Sequence, residues 1–288
     1  FINESSGNSA LFANIANNEI KNLKLNNGNI KGGAYTGGIC AISTSSIIYN
    51  CINNVKIEGG SHCTGGIAGY AINTIIENCA NMSDINGTMR AGGIVGATEG
   101  NCKILKSYNK GNISSKSTGS GDGTYMSAGI CAGTGCNKGS EFIIENCYNV
   151  GDIYGKTHTS GIYTRPAGGG NHRISNCYST GKLTGNYRYA ISGFYDSYRG
   201  TPNMILNNNY WLSGCGSSYG RYSSSNANAI PKSESELKEL TEILGNEYIS
   251  DGKNINSEGN IKDNIDENGN IVYINNGYPI LKWQVEKK

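Results

Sequence analysis

Apolar positions in this chain come in short, β-branched runs cut by glycine, asparagine and serine. Residues 65–87 show the pattern in full: Gly65-Gly66-Ile67-Ala68-Gly69-Tyr70, then Thr74-Ile75-Ile76-Glu77-Asn78-Cys79, then Ser83-Asp84-Ile85-Asn86-Gly87. Such runs are too short for a buried helix, and their composition and flanking turn residues predict strands. The opening phrase returns as Gly37-Gly38-Ile39, Gly92-Gly93-Ile94, Ala128-Gly129-Ile130 and Ser160-Gly161-Ile162, and in decayed form as Tyr189-Ala190-Ile191. The middle phrase returns as Asn50-Cys51, Asn146-Cys147 and Asn176-Cys177, while one copy reads Lys106-Ser107. The closing phrase returns at Ile57, Ile113, Ile153 and Leu183.

A repeat of about 27 to 36 residues is the length of one solenoid turn, read here as three strands per turn. One turn alone cannot bury its apolar face. Stacking turns about 4.8 Å apart pairs every strand with the ones above and below. Ile67 is then expected on Ile39 and Ile94, and Ile85 on Ile57 and Ile113. Paired glycines suit sharp turns and close backbone approach. Asparagines suit the corners, where stacked amides form ladders. The expected fold is all-β, a right-handed parallel β-helix of six to seven coils, its hand taken from the usual sense of parallel crossovers.

Gly66-Ile67-Ala68-Gly69 and Gly93-Ile94-Val95-Gly96, with the stretch Ile144-Glu145-Asn146-Cys147-Tyr148-Asn149-Val150-Gly151-Asp152-Ile153-Tyr154-Gly155, resemble the GLUG motif. The ending Asn275-Asn276-Gly277-Tyr278-Pro279-Ile280-Leu281-Lys282-Trp283 is similar to the usual close of such regions. The resemblance covers about residues 10–215 and that ending. It implies a bacterial surface protein of the adhesin kind, exported from the cell, and brings no catalytic residues with it.

Composition narrows the reading. Lys plus Arg number 24 against 22 Asp plus Glu, a net charge of +2 with no clustered basic run, which argues against a nucleic-acid partner. No apolar run approaches membrane-spanning length. The chain opens at Phe1 in strand-like sequence without an initiator methionine or signal peptide, which reads as a processed piece of something longer. Of the ten cysteines, Cys51, Cys79, Cys147 and Cys177 share one repeat position and Cys40 and Cys131 another, so small buried thiols are expected. Cys102 and Cys136 are the best disulfide candidates. No spacing suits zinc, and no cofactor is expected.

Residues 1–222 are assigned to the β-helix and 223–288 to a cap. Ser233 with Glu236 forms a capping box opening a helix near 233–244, with Leu237, Leu240, Ile243 and Leu244 on one face and Gly245 at the stop. A hairpin is expected between 261–265 and 270–274, then a strand through Trp283. The helix is expected to pack over or beside the last coil. Tyr108, Tyr148, Tyr178 and Tyr210 follow the Asn-Cys position and read as a structural ladder.

Three candidate sites remain. Aromatic residues crowd 187–222, and Tyr187, Tyr189, Tyr195, Tyr198 and Trp211 form a candidate patch for a carbohydrate or a host-surface protein. Phe1, Ile2, Leu11 and Phe12 form a candidate assembly end, since an open parallel sheet invites another strand. Insertions at 114–124 and 133–140 read as surface loops. His62, His158 and His172 read as surface histidines. Asn264-x-Asp266-x-Asn268-Gly269 fits a calcium loop only partly, since Asn275 stands where a bidentate glutamate belongs. The acidic residues sit at repeat positions rather than in a converging pair, as Asp84 with Asp152 and Glu77 with Glu145 show. A non-enzymatic extracellular stalk or ligand-presenting scaffold is therefore the leading expectation. A head-to-tail fibre subunit comes second and a glycan-active enzyme third.

Overall fold

A computed structural model describes residues 2–3, 7–116, 125–193, 200–217 and 227–286. They stack into a parallel β-solenoid of about seven turns. The coil that begins at Ala68 shows the path. Ala68–Ile72 lies in a sheet here named C, Ile75–Glu77 and Ala80–Asn81 lie in the two halves of sheet D, Ile85–Gly87 in sheet A and Arg90–Gly92 in sheet B. The next coil then starts at Val95. Each turn is thus five short strands rather than three. Four of the five are only two or three residues long here, and two of those, Ala80–Asn81 and Arg90–Gly92, hold no large apolar residue to stand out as a run.

The register follows the repeat. Ile57 pairs with Ile85 and Ile85 with Ile113 in sheet A. The Ile39 N–H donates to the Ile67 carbonyl at 3.0 Å, and Ile67 to Ile94 at 2.9 Å. The second glycine of each opening phrase has no room for a side chain. A Cβ on Gly66 would lie 2.2 Å from the Gly93 carbonyl oxygen and 2.6 Å from the Asn81 side chain.

Two corners per coil are built from left-handed residues. The corner between the halves of sheet D uses Asn22, Asn50, Asn78, Asn146, Asn176 and Asn208, all at φ between 52° and 59°. Asparagine tolerates this region better than other non-glycine residues. The deviant copy puts Lys106 there at φ 45°. The residue after each asparagine points inward and closes the turn. The Cys79 and Cys177 thiols donate to the carbonyls two residues back at 3.2 and 3.1 Å, and the Ser107 hydroxyl does the same at 2.7 Å. The Cys79 N–H donates to Ser107 Oγ at 3.1 Å and the Cys147 N–H to Cys177 Sγ at 3.4 Å. Cysteine and serine therefore do the same work, which explains the exchange in the third copy.

Two residues further on, a second ladder runs through the interior. Asn53 donates to Asn81 at 2.8 Å, Asn81 to Asn109 at 2.7 Å and Asn109 to Asn149 at 2.7 Å. Each amide also donates to a main-chain carbonyl two residues on, at 2.7 to 3.0 Å. All four are fully buried. Around them isoleucines from successive coils fill the core.

The C-terminal region lies along the flank instead of closing the end. Ala227–Lys232 pairs in parallel with Asn203–Leu212, so the stack continues past residue 222. The helix breaks in two: α1 is Glu234–Lys238, with the Ser233/Glu236 capping box in place, and α2 is Thr241–Leu244, ending at Gly245 with φ 101°. The hairpin pairs Lys253–Ile255 with Ile261–Asp263, upstream of the expected partners, and Ile265 bridges Ile271. Ile280–Leu281 pairs with Tyr248–Ile249, and a 3-10 turn at Lys282–Gln284 carries Trp283. Leu237, Leu240, Leu244, Tyr248, Tyr278 and Leu281 cover the ladder of Tyr108, Tyr148, Tyr178 and Tyr210. Neighbouring rings in that ladder stack at 4.9 and 5.0 Å between centroids. The tyrosines are structural, and they serve as the seat of the cap.

Polar bonds fasten this seat. Trp283 Nε1 donates to the Lys106 carbonyl at 2.7 Å, Tyr148 Oη to Gln284 at 3.0 Å, Tyr248 Oη to the Asn176 carbonyl at 2.9 Å and Asn275 to Tyr178 Oη at 2.8 Å. Lys106 Nζ pairs with Glu77 at 3.4 Å and with Glu247 at 3.3 Å. The sheet D corner that carries Lys106 in place of asparagine is thus a docking point of the cap. Within the cap, the buried Asp251 carboxylate accepts the N–H groups of Gly252, Ile274, Asn275 and Gly277 at 2.7 to 3.0 Å. It holds the Asn275-Asn276-Gly277 turn, in which Asn276 and Gly277 take positive φ.

Candidate functional site

The first residues of the sheet B strands form a row along the solenoid: Tyr35, Cys63, Arg90, Met126, His158 and Tyr187. At one end Tyr35 lies 5.6 Å from His62 and 5.4 Å from Tyr70 between ring centroids. Tyr70 hydrogen-bonds Glu99, and burial followed by that bond pushes its phenol pKa up. In the middle, the half-buried Arg90 reaches the Cys63 thiol at 3.9 Å. At the far end Tyr187 is 49% exposed and stacks on His158 at 4.8 Å, with Tyr189 at 6.1 Å from the same imidazole. Cys63, Met126 and His158 are buried, so it is at Tyr187 that the row offers an exposed ring face and a hydroxyl together.

The aromatic residues expected to form one patch do not stay together. Tyr187 and Tyr189 sit side by side on His158. Tyr195 and Tyr198 lie outside the described residues. Trp211 is in the core, 4% exposed, where it pairs in register with Ser179. Its faces are packed and cannot stack on a ligand. The histidines also depart from expectation. His62 is exposed, but His158 and His172 are buried. His172 packs against Phe142 and Tyr163, meets Tyr163 Oη at 3.0 Å through Nδ1, and is pushed down to about 4 by burial.

Cys102 and Cys136 are free thiols. They do different jobs: Cys102 pairs across the coils with Phe142 and accepts the Thr74 N–H at 3.4 Å, while Cys136 sits at the end of a sheet C strand with its N–H on Ala167. Burial pushes the Cys136 thiol up to about 11 and Cys40 up to about 12. At the opposite end of the molecule, Ile2 pairs with Ile30, Leu11 and Phe12 are 45% and 40% exposed, and Phe1 lies outside the described residues.

Acidic repeat positions carry structural bonds. Asp84 accepts the Asn112 N–H, Asn112 the Asp152 N–H and Asp152 the Lys182 N–H, at 2.9 to 3.0 Å. Asp266 accepts the N–H groups of Asn268 and Asn270, both at 2.9 Å, so the calcium-like stretch is an Asx turn. Among the described residues no group of three or more His, Cys, Asp or Glu could hold a metal ion, and no helix is long and apolar enough to cross a membrane.

Sequence reasoning missed the interior asparagine ladder and the row on sheet B. The first was signalled by the spacing Asn-x-x-Asn in Asn50 to Asn53, Asn78 to Asn81 and Asn146 to Asn149. The second has no shared residue type, only a shared position before Thr-Gly or its equivalents. No curated protein and no solved structure matches the chain. The family model of the GLUG motif matches residues 60–86, the coil that carries Ile67 and Cys79, so the chain carries a GLUG motif within its β-solenoid.

Proposed function

We propose that the chain is a non-enzymatic, extracellular module of a bacterial adhesin-like surface protein, a stiff rod that presents a ligand-binding edge. The observation that carries this reading is the pairing of a continuous internal frame with an exposed aromatic end of the sheet B row. Isoleucine stacks and the buried asparagine ladder run from coil to coil. Tyr187 stands exposed on His158 at the end of the row. Carbohydrate or a host-surface protein is the partner class that such rings suit. Glycan-array and cell-adhesion assays test it: saturable binding by wild type and loss on Tyr187→Ala support the reading, whereas unchanged binding by Tyr187→Ala removes the row from it.

A second reading, end-to-end assembly into a fibre, is favoured by the first coil. Among the described residues its strands Phe12–Ala16, Glu19–Lys21 and Lys24–Leu25 pair on one side only, beside the exposed Leu11 and Phe12. Heterologous contacts of that kind propagate without closing. Negative-stain electron microscopy across a concentration series separates the two: fibres abolished by Leu11→Lys and Phe12→Lys support assembly, and isolated rods at every concentration rule it out.

A further inference from the structure

The cluster under the cap runs along the outer face of sheet D from Ala80 onward, with Ile52 only partly covered at its edge. Where the cap stops, a cleft of about 420 Å³ opens between the hairpin and the solenoid. Its apolar walls come from Ile52, the exposed Met82, Tyr108 and Trp283. Its polar groups are Lys110, Asn50 and Gln284. That volume, and that mixture of a largely apolar lining with a few polar groups, is typical of small-ligand sites.

Lys110 gives the cleft its chemistry. The ammonium sits 5.7 Å above the Tyr108 ring and donates to the Ile274 carbonyl. Burial holds its pKa below the usual lysine range, although the charge of Asp251 acts against the shift. Asp251 cannot serve as a direct partner, because its oxygens are taken by four main-chain N–H groups. A partly desolvated cation with one carbonyl and a ring face is short of an anion. Gln284 adds a donor: its Oε1 accepts from Tyr148 and from the Leu281 N–H, and its Nε2 group, which also serves the Tyr108 phenol, carries a second hydrogen for another partner. The indole and thioether offer apolar surface beside these groups.

We propose that the cleft between cap and solenoid binds an acidic sugar of the uronic-acid type, its carboxylate on Lys110 and its C–H face against Trp283 and Met82. The site is separate from the sheet B row and does not depend on the reading given to that row.

The test is titration calorimetry of the full chain with methyl glucuronide, methyl galacturonide, methyl glucoside and sodium acetate. Wild type, Lys110→Met, Met82→Trp and Tyr187→Ala are compared. Saturable binding of a uronide, about tenfold or more weaker for the neutral glycoside and for acetate, is expected. Lys110→Met should weaken the uronide by about tenfold or more, and Met82→Trp should block it by filling the cleft. Tyr187→Ala should leave it unchanged. Far-UV circular dichroism melts confirm that both cleft variants remain folded, and either one alone suffices. Absence of uronide binding, equal binding of the neutral glycoside or acetate, or wild-type affinity in a folded cleft variant would overturn the proposal.

Discussion

Replacing Asn81 by alanine removes the central link of the interior ladder. Three bonds go at once: the acceptor for Asn53 at 2.8 Å, the donor to Asn109 at 2.7 Å and the donor to the Ser83 carbonyl at 2.7 Å. Asn53 keeps its bond to Val55 at 3.0 Å, so the heavier loss falls on the Asn109 Oδ1 and the Ser83 carbonyl. At about 1 to 3 kcal/mol for each buried group left unpaired, the cost is about 2 to 6 kcal/mol. Asn54→Ala is the control. It removes a bond of the same type, from Asn54 to Asn26 at 2.7 Å, but at a solvent-accessible position. Water replaces that partner, and the expected loss is about 0.5 kcal/mol. Urea unfolding gives the global difference, and amide hydrogen exchange shows whether loss is confined to neighbouring coils, as a solenoid allows. If the two variants differ by less than about 1 kcal/mol, burial is not what gives the ladder its strength.

Cys177→Ser should keep both corner bonds, as Ser107 does naturally, and stay within about 1 kcal/mol of wild type, while Cys177→Ala should cost about 2 kcal/mol, chiefly by orphaning the Cys147 N–H, since the Ser175 carbonyl keeps the Asn146 N–H at 3.0 Å; chemical denaturation compares them. His172 is pushed from 6.5 to about 4 by burial, so the unfolded chain binds its proton first. Its contribution is present above pH 6.5 and is lost as pH falls towards 4; His172→Phe should flatten the stability profile over that window by at most about 3 kcal/mol in melts run at stepped pH. Asp251→Asn exchanges a carboxylate that accepts four N–H groups for one acceptor oxygen, and should loosen the cap by about 2 kcal/mol or more. Faster proteolysis within 246–286 with an unchanged solenoid core would show it.

The solenoid was legible because every coil repeats the same constraint. Gly66 and Gly93 meet the next backbone, Asn78 and Asn146 turn the same corner, and Ile57, Ile85 and Ile113 share one stack. Strands of two or three residues leave no periodic signal, and where they also lack an isoleucine, as Ala80–Asn81 and Arg90–Gly92 do, the side stayed hidden, which accounts for two of the five. The capping box at Ser233 was readable as a local motif, but the break between α1 and α2 and the position of the cap depend on contacts more than 100 residues away in sequence. Trp211 was misplaced because it was read by type instead of by position. Set against Asn146-Cys147-Tyr148-Asn149, the stretch Asn208-Asn209-Tyr210-Trp211 puts it at the inward position of Asn149. The histidines failed for the same reason: His172 occupies the core rung of Phe142 and Met204, which single-residue reading does not reveal.

Trp283 bonds to Lys106 across 177 residues of chain. A ribosome adding about 5 to 20 residues per second takes roughly 9 to 35 s to travel that distance. Within that interval Tyr108, Tyr148, Tyr178 and Tyr210 are made one after another, while their cover is still to come. Coils that can stack as they emerge must therefore carry a bare aromatic stripe until the cap arrives, and any chain cut short before Leu237 keeps it. Arrival of the cap is thus written into the surface: a chain that has docked it hides its tyrosines, and one that has not displays them to whatever binds exposed rings.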